Sequence, residues 1–230
     1  MSIRIISYNI HSGVGVDGVQ DYGRIGRFLA ERKADIVLLQ EMDTRSRSRE
    51  TAADVAAICA GHFRLIASPA VRGDYGWYGN ALLTHFPVLF SQAIDVSQFG
   101  LQPRNIQEVI VDTGRGLLHI LNTHKGLKRL ERREQIHKLS LHLQEPSEIP
   151  VVVGGDFNEW QLFSPRLGKL NKLLSPHPMG PSFPTRWPLF RLDRFWTRPG
   201  QIVESARVLK TPETRIYSDH YPVELLLTMP

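Results

Sequence analysis

Short apolar runs separated by polar, glycine- or proline-bearing turns recur along this chain, and most are too brief to be helices. The runs over residues 3–7, 36–40, 63–67, 80–84, 106–111, 117–122, 151–153, 194–197 and 223–227 are rich in β-branched and aromatic side chains and predict strands. Two longer segments follow a helical period. Over 23–32, Ile25, Phe28 and Leu29 share one face; over 128–143, Ile136, Leu139 and Leu143 form a stripe at the i, i+3, i+7 spacing. A small-residue stretch over 51–60 is a third helix. Strands outnumber helices, a pattern that fits an α/β sandwich.

The ends of these runs are as informative as the runs themselves. Val151-Val152-Val153-Gly154-Gly155 delivers Asp156 and Asn158 two residues apart, and if extended geometry persists past the glycines both address one ligand while Phe157 turns into the core. Other strands also stop at polar residues. Ile3 to Ser7 leads through Tyr8 to Asn9, the run from Asp35 ends in Gln40-Glu41, and Tyr217-Ser218-Asp219-His220 precedes the last strand. Asp193 lies in Arg191-Leu192-Asp193-Arg194-Phe195, too irregular for a surface strand. Taken singly, a strand-end acid is most often solvated or paired; several together suggest metal-assisted hydrolysis.

Composition narrows the organisation. A chain of 230 residues with 42% hydrophobic content supports one substantial core. Neither linker, fixed-period repeat nor low-complexity tract divides it, so residues 1–230 are expected to form a single domain. The one cysteine, Cys59, excludes an internal disulfide and reads as a small packed side chain in a reducing compartment. No apolar stretch predicts a signal peptide or transmembrane helix, which gives a soluble, cytoplasmic expectation. The net charge of +5 suits a polyanionic partner, but the basic run from Lys125 to Arg133 is interleaved with Glu131 and continues to Glu134, as on a solvated helix face. Phe183, Trp187 and Phe190 in segment 180–190 are read first as loop packing, with a groove for bases or lipid chains as the other option.

In order, the segments around Asn9, Glu41, Asp156, Asp193 and Asp219-His220 resemble the endonuclease/exonuclease/phosphatase superfamily, which includes pancreatic deoxyribonuclease, abasic-site endonucleases, inositol polyphosphate 5-phosphatases and neutral sphingomyelinases. Three segments between them also match: Tyr78-Gly79-Asn80-Ala81-Leu82-Leu83-Thr84, Leu121-Asn122-Thr123-His124, and Ser182-Phe183-Pro184-Thr185 leading into Leu192-Asp193-Arg194. The resemblance spans nearly the whole chain. It implies a deoxyribonuclease-I-like α/β fold: a four-layer sandwich of two packed mixed β-sheets flanked by helices, with the site at one edge. It also implies roles. Glu41, with Asn9 and Asp219, would hold Mg²⁺, with Mn²⁺ as a substitute; Asp156 would orient or deprotonate water; Asn158 would hold water or a phosphate oxygen; His220, oriented by Asp193, would donate to the phosphate; and His124 would assist the leaving oxygen. Arg104 and Asn80 are candidate substrate contacts, Asn80 alternatively orienting His124. Where many relatives carry an acid two residues after the first Asn, this chain has His11.

These residue types suit the chemistry, because attack on an anionic ester requires charge neutralisation, an oriented water and a stabilised leaving oxygen. The expectation is a Mg²⁺-dependent phosphoesterase, a phosphodiesterase before a monoesterase, acting on a phospholipid head group, nucleotide or nucleic acid, with no obligate protein partner. A DNA endonuclease or exonuclease is the alternative enzyme. A catalytically silent binding module is the alternative from another class, opposed by the retention of Glu41, Asp156, Asp193 and His220 at motif positions.

Overall fold

The computed structural model describes residues 2–46, 48–145, 147–161 and 164–229. Twelve strands are described: β1 (Ile3–Asn9), β2 (Ile36–Asp43), β3 (Arg64–Gly73), β4 (Gly76–Thr84), β5 (Val88–Asp95), β6 (Asn105–Asp112), β7 (Leu117–His124), β8 (Val151–Asp156), β9 (Ser175–His177), β10 (Asp193–Arg198), β11 (Val203–Val208) and β12 (Val223–Leu227). Helices are α1 (Tyr22–Glu31), α2 (Thr51–Cys59), α3 (Arg129–His142), α4 (Leu167–Asn171) and α5 (Thr214–Tyr217). The strands form two six-stranded sheets, in the orders β11-β12-β1-β2-β4-β3 and β5-β6-β7-β8-β10-β9. Each sheet is mixed: β1 and β2 run parallel in the first, β7 and β8 in the second, and the other neighbours are antiparallel.

The alternation along each strand sorts the core into three layers of packing. Ile5, Leu38, Val109, Val152, Phe195 and Leu225 meet between the sheets. On the outer face of the first sheet, Ile25, Phe28 and Leu29 of α1 and Ile58 of α2 cover Ile6, Val37 and Leu83; on the second, Ile136 and Leu139 of α3 with Leu170 of α4 cover Leu121, Val153 and Trp196. Helix, sheet, sheet, helix is the four-layer arrangement the resemblance implied. Asp21 caps α1, its carboxylate accepting from the Arg24 backbone N–H at 3.0 Å.

Close sheet contact places demands on two glycines of β8. A Cβ at Gly154 would come 2.4 Å from the Phe195 ring, and Gly155, at φ +138°, has the Thr123 carbonyl oxygen 1.9 Å from where a Cβ would stand. Small residues there let β7, β8 and the opposite sheet close under the site. The pair does not prolong extended geometry as expected: β8 stops at Asp156, and Asn158 turns to φ 48°. Three strands lie outside the predicted runs. β5 is exposed along most of its length, β9 has three residues and β11 is an edge strand, so none carries a clear buried pattern.

Candidate active site

Six strands bring polar residues to one edge of the sandwich. Asn9, Glu41, His124 and Asp156 stand at or near the C-terminal ends of the two parallel pairs. Asp193 opens β10 and His220 just precedes β12; because these strands run antiparallel to β8 and β1, their entrances lie beside the others' exits. In the second sheet, register sets the order: His124 pairs with Asp156, and Asp156 with Asp193. Directly paired residues project to one face, so the three stand abreast.

Asn9 joins this row to the first sheet. Its amide nitrogen donates to Glu41 Oε1 at 3.0 Å and Asp156 Oδ2 at 3.1 Å. His124 Nε2 lies 3.6 Å from both of those oxygens, and His220 Nε2 lies 3.9 Å from Asp156 Oδ2. On its far side, His220 Nδ1 sits 2.9 Å from Asp193 Oδ2, an oxygen that also accepts from Ser182 Oγ at 2.5 Å. That carboxylate orients the ring and leaves Nε2 facing Asp156. Asn9, Glu41, His124, Asp156, Asp193 and His220 are therefore brought together. Asn158 belongs with them: its backbone N–H donates to Asp156 Oδ1 at 2.8 Å, and its side-chain amide reaches the Lys125 carbonyl and Asp156 Oδ2.

Electrostatics separates the two histidines. Burial, with the positive charges of Arg104 and His220, holds His124 well below the usual imidazole range, so it is neutral at pH 7. Burial would also depress His220, but the charge and hydrogen bond of Asp193, with Asp156 and Asp219, outweigh it and push His220 up to about 10. Burial raises Asp156 to about 6, opposed by His220 and reinforced by Asp193. One acid thus has the proton affinity of a base near neutral pH.

Two site residues occupy left-handed backbone. β2 does not end at Glu41; it continues to Asp43, its register against β4 slips between Leu39 and Met42, and Glu41 sits at φ 60°. This bulge holds the carboxylate toward Asn9 while Gln40 reaches across to Asn122. Asn158 at φ 48° is the other.

Other sequence candidates form their hydrogen bonds outside the central row, although the charge of Asp219 reaches His220. The Asn80 amide donates to the backbone and side-chain oxygens of Asn105, so its donors are committed there and not to His124. Arg104 is buried; its guanidinium donates to the Tyr78 hydroxyl and to Gln102 rather than opening as a free fork, although its charge reaches His124. Asp219 is half-buried, with Ser218 Oγ 3.4 Å from Oδ1 and its carbonyl accepting from Thr185 N–H. His11 is exposed, its ring beside the Val14 carbonyl at 3.3 Å. In the basic run, Lys128, Arg129 and Arg133 are exposed, but Lys125 and Arg132 are buried, so the solvated-face reading fails for those two.

Several participants were not singled out from sequence. Ser182 buttresses Asp193, and Ser218 Oγ donates to the Asn9 carbonyl at 2.8 Å. Both lie in the quoted motifs, which was the available signal. Phe183 lies ring to ring with His220 at 4.7 Å, and Trp160 stands edge-on to Phe183 and Phe190, so the segment expected as loop packing makes an aromatic wall beside the imidazole. Trp187 is exposed.

The donor set fits a hard cation held by oxygens. Glu41 keeps part of its carboxylate open to solvent, with a side-chain exposure of 23%, and Mg²⁺ takes one or two carboxylates while retaining waters. Asn9 departs from the expected ligand geometry: its oxygen accepts the His11 N–H at 3.1 Å and its nitrogen faces the acids. As oriented, it ties the acids together.

Comparison with known proteins agrees with this fold. Uncharacterized protein YbhP of Escherichia coli strain K12 is 31% identical over 159 residues, covering 64% of this chain; the match spans 62% of YbhP. An endonuclease/exonuclease/phosphatase from Bacteroides vulgatus superposes over 100% of both chains with a TM-score of 0.79 at 18% identity. The mannosyl-6-phosphatase Bt3783 of Bacteroides thetaiotaomicron gives 0.76 at 18% identity, over 98% of this chain and 100% of its own. The protein carries no helix, among the described residues, long and apolar enough to cross a membrane. Residues 6–220 match the Endonuclease/Exonuclease/phosphatase family, and the chain belongs to it.

Proposed function

We propose that this chain is a Mg²⁺-dependent phosphodiesterase. The observation that carries the reading is the row of His124, Asp156 and His220, with the Nε2 atoms of both imidazoles 3.6 and 3.9 Å from one oxygen of a buried carboxylate and Asp193 bonded to the far side of His220. Asp156 takes the proton of an attacking water that Asn158 helps to place. His220, held as a cation by Asp193, donates from Nε2 to a phosphate oxygen as negative charge builds. His124, neutral, offers the leaving oxygen a hydrogen bond. Glu41 and Asp219 would hold Mg²⁺, with Asn9 reaching it if its amide is turned over; when bound, the ion supplies positive charge against the phosphate oxygens.

A diester fits better than a monoester on charge. Glu41, Asp156, Asp193 and Asp219 crowd the edge, so a singly charged ester meets less repulsion than a dianion. The wall of Phe183, Trp160 and Phe190 offers an organic substituent a surface beside His220. That wall and the net charge of +5 favour a nuclease as the second reading.

The test is hydrolysis of bis(p-nitrophenyl) phosphate against p-nitrophenyl phosphate with Mg²⁺ or Mn²⁺, followed by nucleic acids, nucleotides and phospholipids. The diester should be cleaved faster, and chelation should stop turnover. Asp156→Ala and His220→Ala should each lose about two orders of magnitude or more. Glu41→Gln should raise the Mg²⁺ concentration for half-activity, because a carboxamide keeps the shape without the charge that holds the ion. Preference for the monoester, or no turnover with any metal, would overturn the proposal.

A further inference from the structure

A second group of donor atoms gathers away from the edge just described, on the face of the second sheet that α3 covers. Glu108 of β6, His119 of β7 and His142, the last residue of α3, place one carboxylate oxygen and two ring nitrogens within 4.8 Å of one another. Glu108 Oε1 is the hub, 2.6 Å from His119 Nε2 and 2.9 Å from His142 Nε2. The other oxygen, Oε2, accepts from Gln92 of β5 at 2.5 Å. His119 lies five positions before His124 on the same strand, which at about 3.3 Å per residue puts the group roughly 16 Å from the candidate active site. None of its members has a part in the proposed hydrolysis.

We propose that Glu108, His119 and His142 form a second metal site, a three-ligand centre for a divalent transition ion such as Zn²⁺. Two imidazoles and a carboxylate are a ligand set that zinc accepts and that Mg²⁺, which prefers oxygen and retained water, does not. The burial is graded as a three-ligand site requires: the Glu108 side chain is 6% exposed, His119 13% and His142 29%, so the fourth position opens on the His142 side, where water can complete the shell. Gln92 supplies the outer support that ligating carboxylates ordinarily have, fixing Oε2 while Oε1 faces the rings. The rings are 77° apart in plane, with centroids separated by 6.4 Å, so each presents Nε2 from its own direction.

Metal entry follows from simple accounting. The two contacts between Oε1 and the ring nitrogens break, two Zn–N bonds and one Zn–O bond form, and each ring that carried its proton on Nε2 transfers it to Nδ1 or, if it was charged, releases it to solvent. Ligands about 2.1 Å from a tetrahedral ion stand roughly 3.4 Å apart, so the contacts of Glu108 Oε1 with His142 and His119, now 2.9 and 2.6 Å, must open by about 0.5 and about 0.8 Å. Glu108 Oε1 already faces both ring nitrogens while Gln92 holds Oε2, so the common ligand atom is in place before an ion arrives. A bound ion would pin the end of α3 to β6 and β7.

The test uses the full chain stripped with chelator and kept in excess Mg²⁺, titrated with Zn²⁺ by calorimetry and with Co²⁺ by visible absorption. The expected result is one equivalent of Zn²⁺ beyond any taken at the active site, a melting temperature raised by several degrees, and Co²⁺ d–d bands of low-coordinate intensity. His142→Ala and Glu108→Gln should each lose that equivalent, the Co²⁺ spectrum and the thermal shift, while His142→Ala keeps its turnover with Mg²⁺. His119→Gln serves as a further variant should either fail to fold by circular dichroism. If the wild-type chain takes up no such equivalent, or if His142→Ala retains it while Asp156→Asn loses it, the cluster is a hydrogen-bonded hub and the proposal falls.

Discussion

His124 and His220 are the same side chain in opposite settings, and the difference comes from the hydrogen-bonded carboxylate that only His220 has. Asp193 sits against His220 Nδ1 at 2.9 Å, whereas burial, with the positive charges of Arg104 and His220, keeps His124 neutral although Glu41 and Asp156 lie 3.6 Å from its Nε2. If Asp193 acts only by holding and charging His220, the two should behave as a unit. Asp193→Asn and His220→Ala should each cost about two orders of magnitude in kcat/KM for bis(p-nitrophenyl) phosphate, and the double variant should be no slower than His220→Ala alone. Losses that add would give Asp193 an independent role. Lys125 tests burial by itself. Its ammonium has no hydrogen-bond partner among the described residues, lies 5.0 Å from the Phe157 ring centroid and is brought down by burial to about 7. The unfolded lysine titrates near about 10.4, so between those values the unfolded state binds more protons and the folded state gains stability as pH rises. Lys125→Met lacks this dependence. Its melting-temperature advantage over wild type should be largest at about pH 6–7 and shrink toward about pH 10; a pH-independent difference would show that Lys125 stays charged when folded.

Elements carry the site because two of them break their own regularity. Asn158 at φ 48° leaves the line of β8 so that its amide returns to Asp156 Oδ2. Left-handed backbone costs a non-glycine residue about 1–2 kcal/mol and is met most easily by Asn, Asp or Gly. Asn158→Gly should therefore melt above Asn158→Ala by a few degrees while both lose at least about tenfold in turnover, since neither has the amide. Thermal melts and kcat on the two variants check it; a glycine variant that melts below the alanine variant would deny that backbone conformation selects the residue. The same elements show what the sequence made legible. Eight strands and three helices announce themselves through buried faces and β3 through its apolar run alone, its end displaced from residue 67 to 73, whereas β5, β9 and β11 bury too little to leave a pattern. Asp156 and Glu41 were readable as polar residues closing apolar runs and His220 as one preceding the last strand, whereas Asp193 was legible only through the family resemblance. Ser182, Lys125 and Trp160 were not, because their parts depend on what a distant segment places opposite them. Glu41 was identified, but its bulge was hidden, since Gln-Glu in an apolar strand carries no glycine or proline to mark a break.

At the scale of the whole molecule, the candidate active site is a property of two sheets held in register with each other. Asn9 and Glu41 belong to the first sheet, His124, Asp156 and Asp193 to the second, and no single sheet contains the set. Apolar packing carries little directional information, so directional bonds help fix the relation of the sheets at the candidate site's edge. Asn122 of β7 supplies them. It accepts from Gln40 Nε2 at 2.8 Å and donates to Gln107 Oε1 and to the carbonyls of Leu39 and Ala81, bonding strands of both sheets from a fully buried position. Gln40 precedes Glu41, and Asn122 lies two residues before His124, so this network spaces the two halves of the site. Asn122→Ala strands several buried polar groups, each worth about 1–3 kcal/mol when unsatisfied. Stability should fall by a few kcal/mol, and so should turnover per folded molecule. The control is Leu170→Ala in α4, which empties a buried position in the outer layer at a comparable cost of about 2–5 kcal/mol without touching the sheet-to-sheet contact. Urea midpoints and kcat measured well below them separate the outcomes: reduced kcat in Asn122→Ala alone supports sheet register as the determinant, and equal kcat in both variants would mean that apolar packing is enough to align the site.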